Sequence, residues 1–164
     1  MENQLKIVGF FRKKPVVNRP ANRSHIPVHK IRKVLLCESA NETTDGPVHL
    51  LTKKFEEIQG VSTVIPTSDD DRIFYAMRPF RKGFSRFVWK RDPEETNLIT
   101  IVLLKNFDHW ILLSAWYGKQ AAKEPWDRRA NGFSKTFWTC HAFVEKCEEY
   151  YKDTVITECP WPLN

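Results

Sequence analysis

The chain has 164 residues, 41% of them hydrophobic and 28% charged. That suits one domain with a real core and excludes a disordered polymer. Net charge is +6, unevenly spread: residues 1–33 hold nine cations against Glu2 alone, residues 78–91 hold six with no acid, and residues 141–164 lean acidic. Such asymmetry favours RNA or another polyanion as partner. No apolar run approaches the length that crosses a bilayer, so no membrane role is expected. Met1-Glu-Asn-Gln lacks the start of a secretory signal. Cys37, Cys140, Cys147 and Cys159 form no CxxC pair, so a cytoplasmic protein with reduced thiols is expected.

Leu5 to Phe11 reads as a short first strand, and residues 12–23, basic with two prolines, as an irregular arm. Ser24 and Pro27 open a predicted helix whose stripe is Val28, Ile31 and Leu35, and the polar run Glu38 to Thr44 ends it. A second helix is predicted from Asp45 as N-cap to Gly60 as stop, with Val48, Leu51, Phe55 and Ile58 on one face. From residue 61 the period shortens. Val61–Pro66, Arg72–Arg78, Phe84–Lys90, Asn97–Leu104 and His109–Tyr117 read as strands joined by links too short for parallel crossovers, hence an antiparallel meander of four to five strands. A last helix is predicted from Phe133 to Tyr151 on the stripe Phe133, Phe137, Cys140, Val144, Cys147 and Tyr151, packed on the sheet. The tail, 154–164, reads as extended. The expectation is a single α+β domain over 1–164, with two N-terminal helices, the meander and a C-terminal helix.

Six cations interleave with four aromatics between Arg78 and Arg91. Cations attract phosphates and aromatic rings stack on bases, so Arg78, Arg81, Lys82, Lys90 and Arg91 are candidate nucleic-acid-binding residues. The run Lys82-Gly-Phe-Ser-Arg-Phe-Val-Trp departs from the RNA-recognition signature, because Arg86 fills the slot of an aromatic. Strand alternation sets Phe84, Arg86, Val88 and Lys90 against Ser85, Phe87 and Trp89. Arg86 is there either to bind a phosphate or to pair with a Glu on a solvated face. Ser114 is either a small core residue or a hydroxyl for substrate, and Tyr117 sits at a strand end before Gly118. His141, on the flank of the last stripe, is either a satisfied core residue or the best general acid–base, with His25 second. No carboxylate or cysteine cluster has metal-ligand spacing, so neither metal nor cofactor is expected.

Arg86-Phe-Val, Ile99-Thr-Ile-Val-Leu-Leu, the run from Trp110 to Gly118, Glu124-Pro-Trp-Asp127 and Phe137-Trp-x-x-His141-Ala resemble a group of small uncharacterised bacterial and phage-associated proteins. That group in turn resembles the barnase–EndoU–colicin–RelE superfamily of metal-independent ribonuclease toxins. The resemblance covers residues 72–145. It implies an endoribonuclease with His141 or His25 as base or acid, Arg86 as the cation for the phosphorane, and Ser114 and Tyr117 positioning the phosphate. It also implies a cognate antitoxin or immunity protein as partner. Ser114 stands where the group has Thr, and Trp116 where it has Tyr. The alternative expectation is a binding module without catalysis, directed at nucleic acid or at a protein such as a toxin it neutralises.

Overall fold

The computed structural model describes residues 26, 28–35, 42–45, 48–107 and 109–161. The expected strand Leu5–Phe11, the basic arm 12–23, His25, Cys37 and the last three residues of the tail lie outside them. In chain order the elements are α1 (Val28–Leu35), β1 (Glu42–Asp45), β2 (Val48–Lys54), β3 (Gly60–Ser62), β4 (Val64–Pro66), β5 (Ile73–Met77) and β6 (Phe84–Val88). Then come β7 (Glu94–Thr96), β8 (Leu98–Asn106), β9 (His109–Tyr117), α2 (Gly132–Cys140) and β10 (His141–Val144). Strands dominate. The expected α+β arrangement of two N-terminal helices, one meander and a long C-terminal helix is overturned by two four-stranded sheets and a two-stranded ribbon, β3–β7.

Two compact units result, one from Met1–Gly60 with Thr96–Lys119, the other from Val61–Glu95 with Gln120–Asn164. The first has the strand order β1-β2-β8-β9. The segment expected as its second helix is β2, paired antiparallel with β8 from Val48↔Leu104 to Lys54↔Leu98. Seven cross-strand pairs outweigh a 3- and 4-residue spacing that four apolar residues satisfy by chance. The stripe is dissolved accordingly: Leu51 is buried, whereas Val48 and Ile58 are exposed. The core holds Ile26, Ile31, Leu51, Ile99, Ile101, Leu103 and Tyr117. Tyr117 lies so close to Gly60 that a Cβ there would stand 2.3 Å from its ring.

Strict alternation fails in β9. Its register against β8 shifts between Val102 and Leu103, leaving Leu113 as an extra residue. Trp110 and Leu112 before this bulge, and Ala115 and Tyr117 after it, therefore pack on the same core, while Ser114 is turned out to solvent.

The second unit has the order β4-β10-β6-β5. β5 and β6 form a hairpin with Phe74↔Phe87 and Met77↔Phe84 as partners. β10 enters between the β4 and β6 edges, antiparallel to β4 and parallel to β6. This insertion ends the expected last helix at Cys140. Ala142, Phe143 and Val144 are buried on both faces, the pattern of an interior strand, and pairing with two neighbours satisfies backbone groups that a helix would bond internally. One face carries Phe74, Ala76, Phe87 and Phe143 and is covered by Trp138 of α2. The other carries Ile65, Val88, Ala142 and Val144. The tail adds an antiparallel bridge, Tyr75↔Ile156.

Candidate nucleic-acid interface

Continuing the alternation of β5 and β6 past Ala76 and Phe87 brings Arg78 and Ser85 onto the face that α2 covers. The loop 120–131 runs over the same face and is pinned there. Trp138 Nε1 donates to the Ala122 carbonyl at 3.0 Å. Asn131 caps α2, its Oδ1 accepting from the Phe133 and Ser134 N–H groups, while Ser134 Oγ accepts from the Asn131 N–H. Trp126 rests on the hairpin at Gly83, where a Cβ would stand 2.1 Å from the indole Cγ. Only glycine lets the indole lie so close.

The pinned loop delivers Glu124 to a buried polar network. Arg78 Nη2 donates to Glu124 Oε2 at 2.5 Å, Arg78 Nε donates to Ser85 Oγ at 3.0 Å, and Ser85 Oγ donates to Glu124 Oε1. The Arg78 and Glu124 side chains are 11% and 10% exposed, and Ser85 is fully buried. Glu148 lies 3.6 Å from Arg78 Nη1, and the guanidinium carbon sits 4.2 Å over the Phe143 ring. Arg78 is thus a neutralised, structural cation.

Above the network opens a cavity of about 220 Å³, bordered by Arg78, Arg81, Lys123, Trp126, Asp127 and Arg129. Asp127 accepts from the Arg129 side chain and backbone N–H, which holds its carboxyl down to about 2. Arg81 and Lys123 are exposed. Trp126 Nε1, buried at the cavity wall, has no acceptor among the described residues.

The remaining sequence candidates are scattered. Arg91 pairs with Asp71 at 2.7 Å, whose carboxyl is held low first by the Ser68 backbone N–H and then by Arg91. Arg81, Lys82 and Lys90 are exposed, with no ion pair among the described residues. Arg86 has no Glu partner there either. Its Nη1 donates to Thr67 Oγ1 and to the His141 carbonyl, both at 2.9 Å, on the sheet face that also carries Val88 and Tyr75. Burial and then the Cys159 thiol push the Tyr75 phenol above its ordinary pKa, against the pull of Arg86. His141 shares the parity of Phe143 and stacks on Phe137 at 4.0 Å, with Nδ1 3.1 Å from the Phe137 carbonyl. Arg86 and the His141 ring therefore project from opposite faces. Ser114 and Tyr117 belong to the other unit, where Ser114 is exposed and the Tyr117 hydroxyl accepts from Lys30 at 3.4 Å.

The sequence reading passed over Ser85, Lys123, Arg129 and Phe80 and took Glu124 and Trp126 only as parts of a motif. One signal for the network was present, a serine on the strand face otherwise given to Phe87 and Trp89. Comparison with protein-family models, curated proteins and solved structures gives no match. Among the described residues no helix is long and apolar enough to cross a membrane.

Proposed function

We propose that the protein binds nucleic acid, and that the second unit does so at the cavity between the β5–β6 turn and the loop 120–131. The observation that carries this reading is the cavity's rim, where Arg81 and Lys123 stand exposed beside Lys82 while the nearby acids Glu124 and Asp127 are taken up by Arg78 and Arg129. The second unit as a whole is electrically balanced, with thirteen cations and thirteen acids. Its positive patch therefore comes from internal pairing of acids. At about 220 Å³ the cavity falls below the roughly 300 Å³ at which small-molecule sites begin. It suits one group of a larger ligand, such as a phosphate offering oxygens to Arg81 and Lys123. The chain's excess of six positive charges lies outside this unit, much of it in residues 1–33, and adds a second source of attraction.

Cleavage of the kind the ribonuclease-toxin resemblance implies needs a base and a cation on one surface. Arg86 and His141 face opposite sides, so that pair does not form such a surface, while His25 lies outside the described residues; binding is the reading that the cavity rim supports. The test is fluorescence anisotropy with a labelled oligo-rU over a salt series. The rim cations Arg81 and Lys123 together with the neighbouring Lys82, contacting a single strand, give a slope of about −2 in log K against log salt. A steeper slope would mean that the basic N-terminal residues also take part. Changing Arg81, Lys82 or Lys123 to Ala should each remove about 0.7 from the slope. Absence of binding at low salt, or binding indifferent to salt, would overturn the proposal, the latter in favour of a protein partner. The same RNA incubated with the protein in EDTA should stay intact.

A further inference from the structure

We infer that this surface selects single strands, by stacking an unpaired base on Phe80; the inference rests on the nucleic-acid reading above. Phe80 sits at the tip of the β5–β6 hairpin. The Arg81 N–H donates to the Arg78 carbonyl at 3.1 Å, closing a turn with Pro79 in its second position and Phe80 in its third. Phe80 has φ 62°, in the left-handed region that glycine or asparagine normally supplies at that position. A bulky aromatic there strains the backbone. No packing compensates, because Phe80 is 89% exposed. A residue that neither suits its turn nor serves a core points to a role outside the fold.

Its surroundings say which. Arg81, which borders the cavity, and Lys82 follow it directly, and both are exposed. A ring projecting beside free cations is the arrangement that holds a base and its backbone together. Phe107, similarly exposed with φ 54° in the β8–β9 turn, is flanked by Asn106 and Asp108 and lacks those cations. In a duplex the base faces are covered by their neighbours, so Phe80 can stack only on an unpaired base.

The experiment compares fluorescein-labelled oligo-dT with a blunt-ended duplex of equal phosphate count, on the wild type, Phe80→Gly and Phe80→Leu. The wild type should prefer the single strand. Phe80→Gly should lose about 5- to 100-fold on oligo-dT, the stacking contribution of one base, with duplex binding unchanged. Phe80→Leu should lose nearly as much, since it keeps apolar area without a ring face. The thermal midpoint of Phe80→Gly should hold or rise, because glycine relieves the turn, so any loss of binding is not a loss of fold. Equal affinity for both probes, or unchanged oligo-dT binding by Phe80→Gly, overturns single-strand selection while leaving nucleic-acid binding intact. Failure of the wild type to bind either probe at low salt overturns both. Co-sedimentation with phosphatidylserine vesicles that Phe80→Gly abolishes, with oligo-dT affinity unaltered, would reassign the tip to a lipid surface.

Discussion

Replacing Glu124 by Gln tests whether the Arg78–Ser85–Glu124 network holds the second unit together. The substitution keeps shape and removes the charge that Arg78, 11% exposed, faces at 2.5 Å. Breaking a buried ion pair from one side costs about 3–5 kcal/mol, since the other charge is left without its partner. Glu148, 3.6 Å from the same guanidinium, keeps part of that compensation. The expected loss therefore lies near the lower end, about 3 kcal/mol. Ser85→Ala removes an acceptor from Arg78 Nε and a donor to Glu124, for about 1–3 kcal/mol. Arg78→Met strands two carboxylates and should cost more than Glu124→Gln. Urea unfolding followed through tryptophan fluorescence measures all three, and an Arg78→Met, Glu124→Gln double variant completes a cycle. Its loss should fall short of the sum of the single losses, because each change removes the other's penalty. Additive losses, or a Glu124→Gln variant within about 0.5 kcal/mol of wild type, would show that the loop is held by Trp126 and Trp138 alone.

Gly83→Ala would drive a methyl to within 2.1 Å of Trp126 and should cost about 1–3 kcal/mol of overpacking, with a shifted Trp emission maximum and partial relief in Trp126→Ala, which removes the clashing Cγ. Gly60→Ala should do the same to the first unit through Tyr117, at 2.3 Å. Asp127 is held down to about 2 in the folded protein, below its ordinary value near 4. Its contribution to stability is therefore complete above about pH 4 and is lost as pH falls toward 2, so the stability gap between wild type and Asp127→Asn should close across that window. Arg86→Ala should destabilise by about 1–3 kcal/mol, because Thr67 and the His141 carbonyl lose their donor, and should leave oligo-dT affinity unchanged. A tenfold affinity loss at unaltered stability would instead make Arg86 a ligand group.

Strand positions were legible where alternation and turn residues coincide. Phe84–Val88 and His109–Tyr117 lie within the predicted runs because Gly83 and the Asn106 turn bound them. Which strands pair with which was not legible. β10 pairs with β6 across a separation of 56 residues, Phe143 with Phe87 and Val144 with Val88. Long-range pairing of that kind leaves no local mark. For the same reason two segments looked helical. Val48 and Leu51 of β2, and Val144 of β10 after Phe137 and Cys140, fall on a 3- and 4-residue spacing, yet each strand lies where a sheet offers partners on one or both edges. A short apolar run carries both periods at once, and only the tertiary environment chooses between them.

The candidate site divides along the same line. The basic and aromatic character of 78–83 was plain from composition, because it depends on residue types within one short segment and not on the rest of the chain. The roles within it depend on parity and on a distant loop. Arg78 and Arg81 look equivalent in sequence. Residue 78 still belongs to the inward row of β5, so it meets Glu124 from the pinned loop and becomes scaffold. Residue 81 lies beyond the strand, escapes that row and stays free for a phosphate. Arg86 and His141 fail as a pair for a related reason, since one residue of offset between adjacent strands sends two side chains to opposite faces. Among these candidates the free cations lie where the sheet has ended, and the proposed nucleic-acid contact therefore sits at the hairpin tip, not on the strands that the motif resemblance singles out.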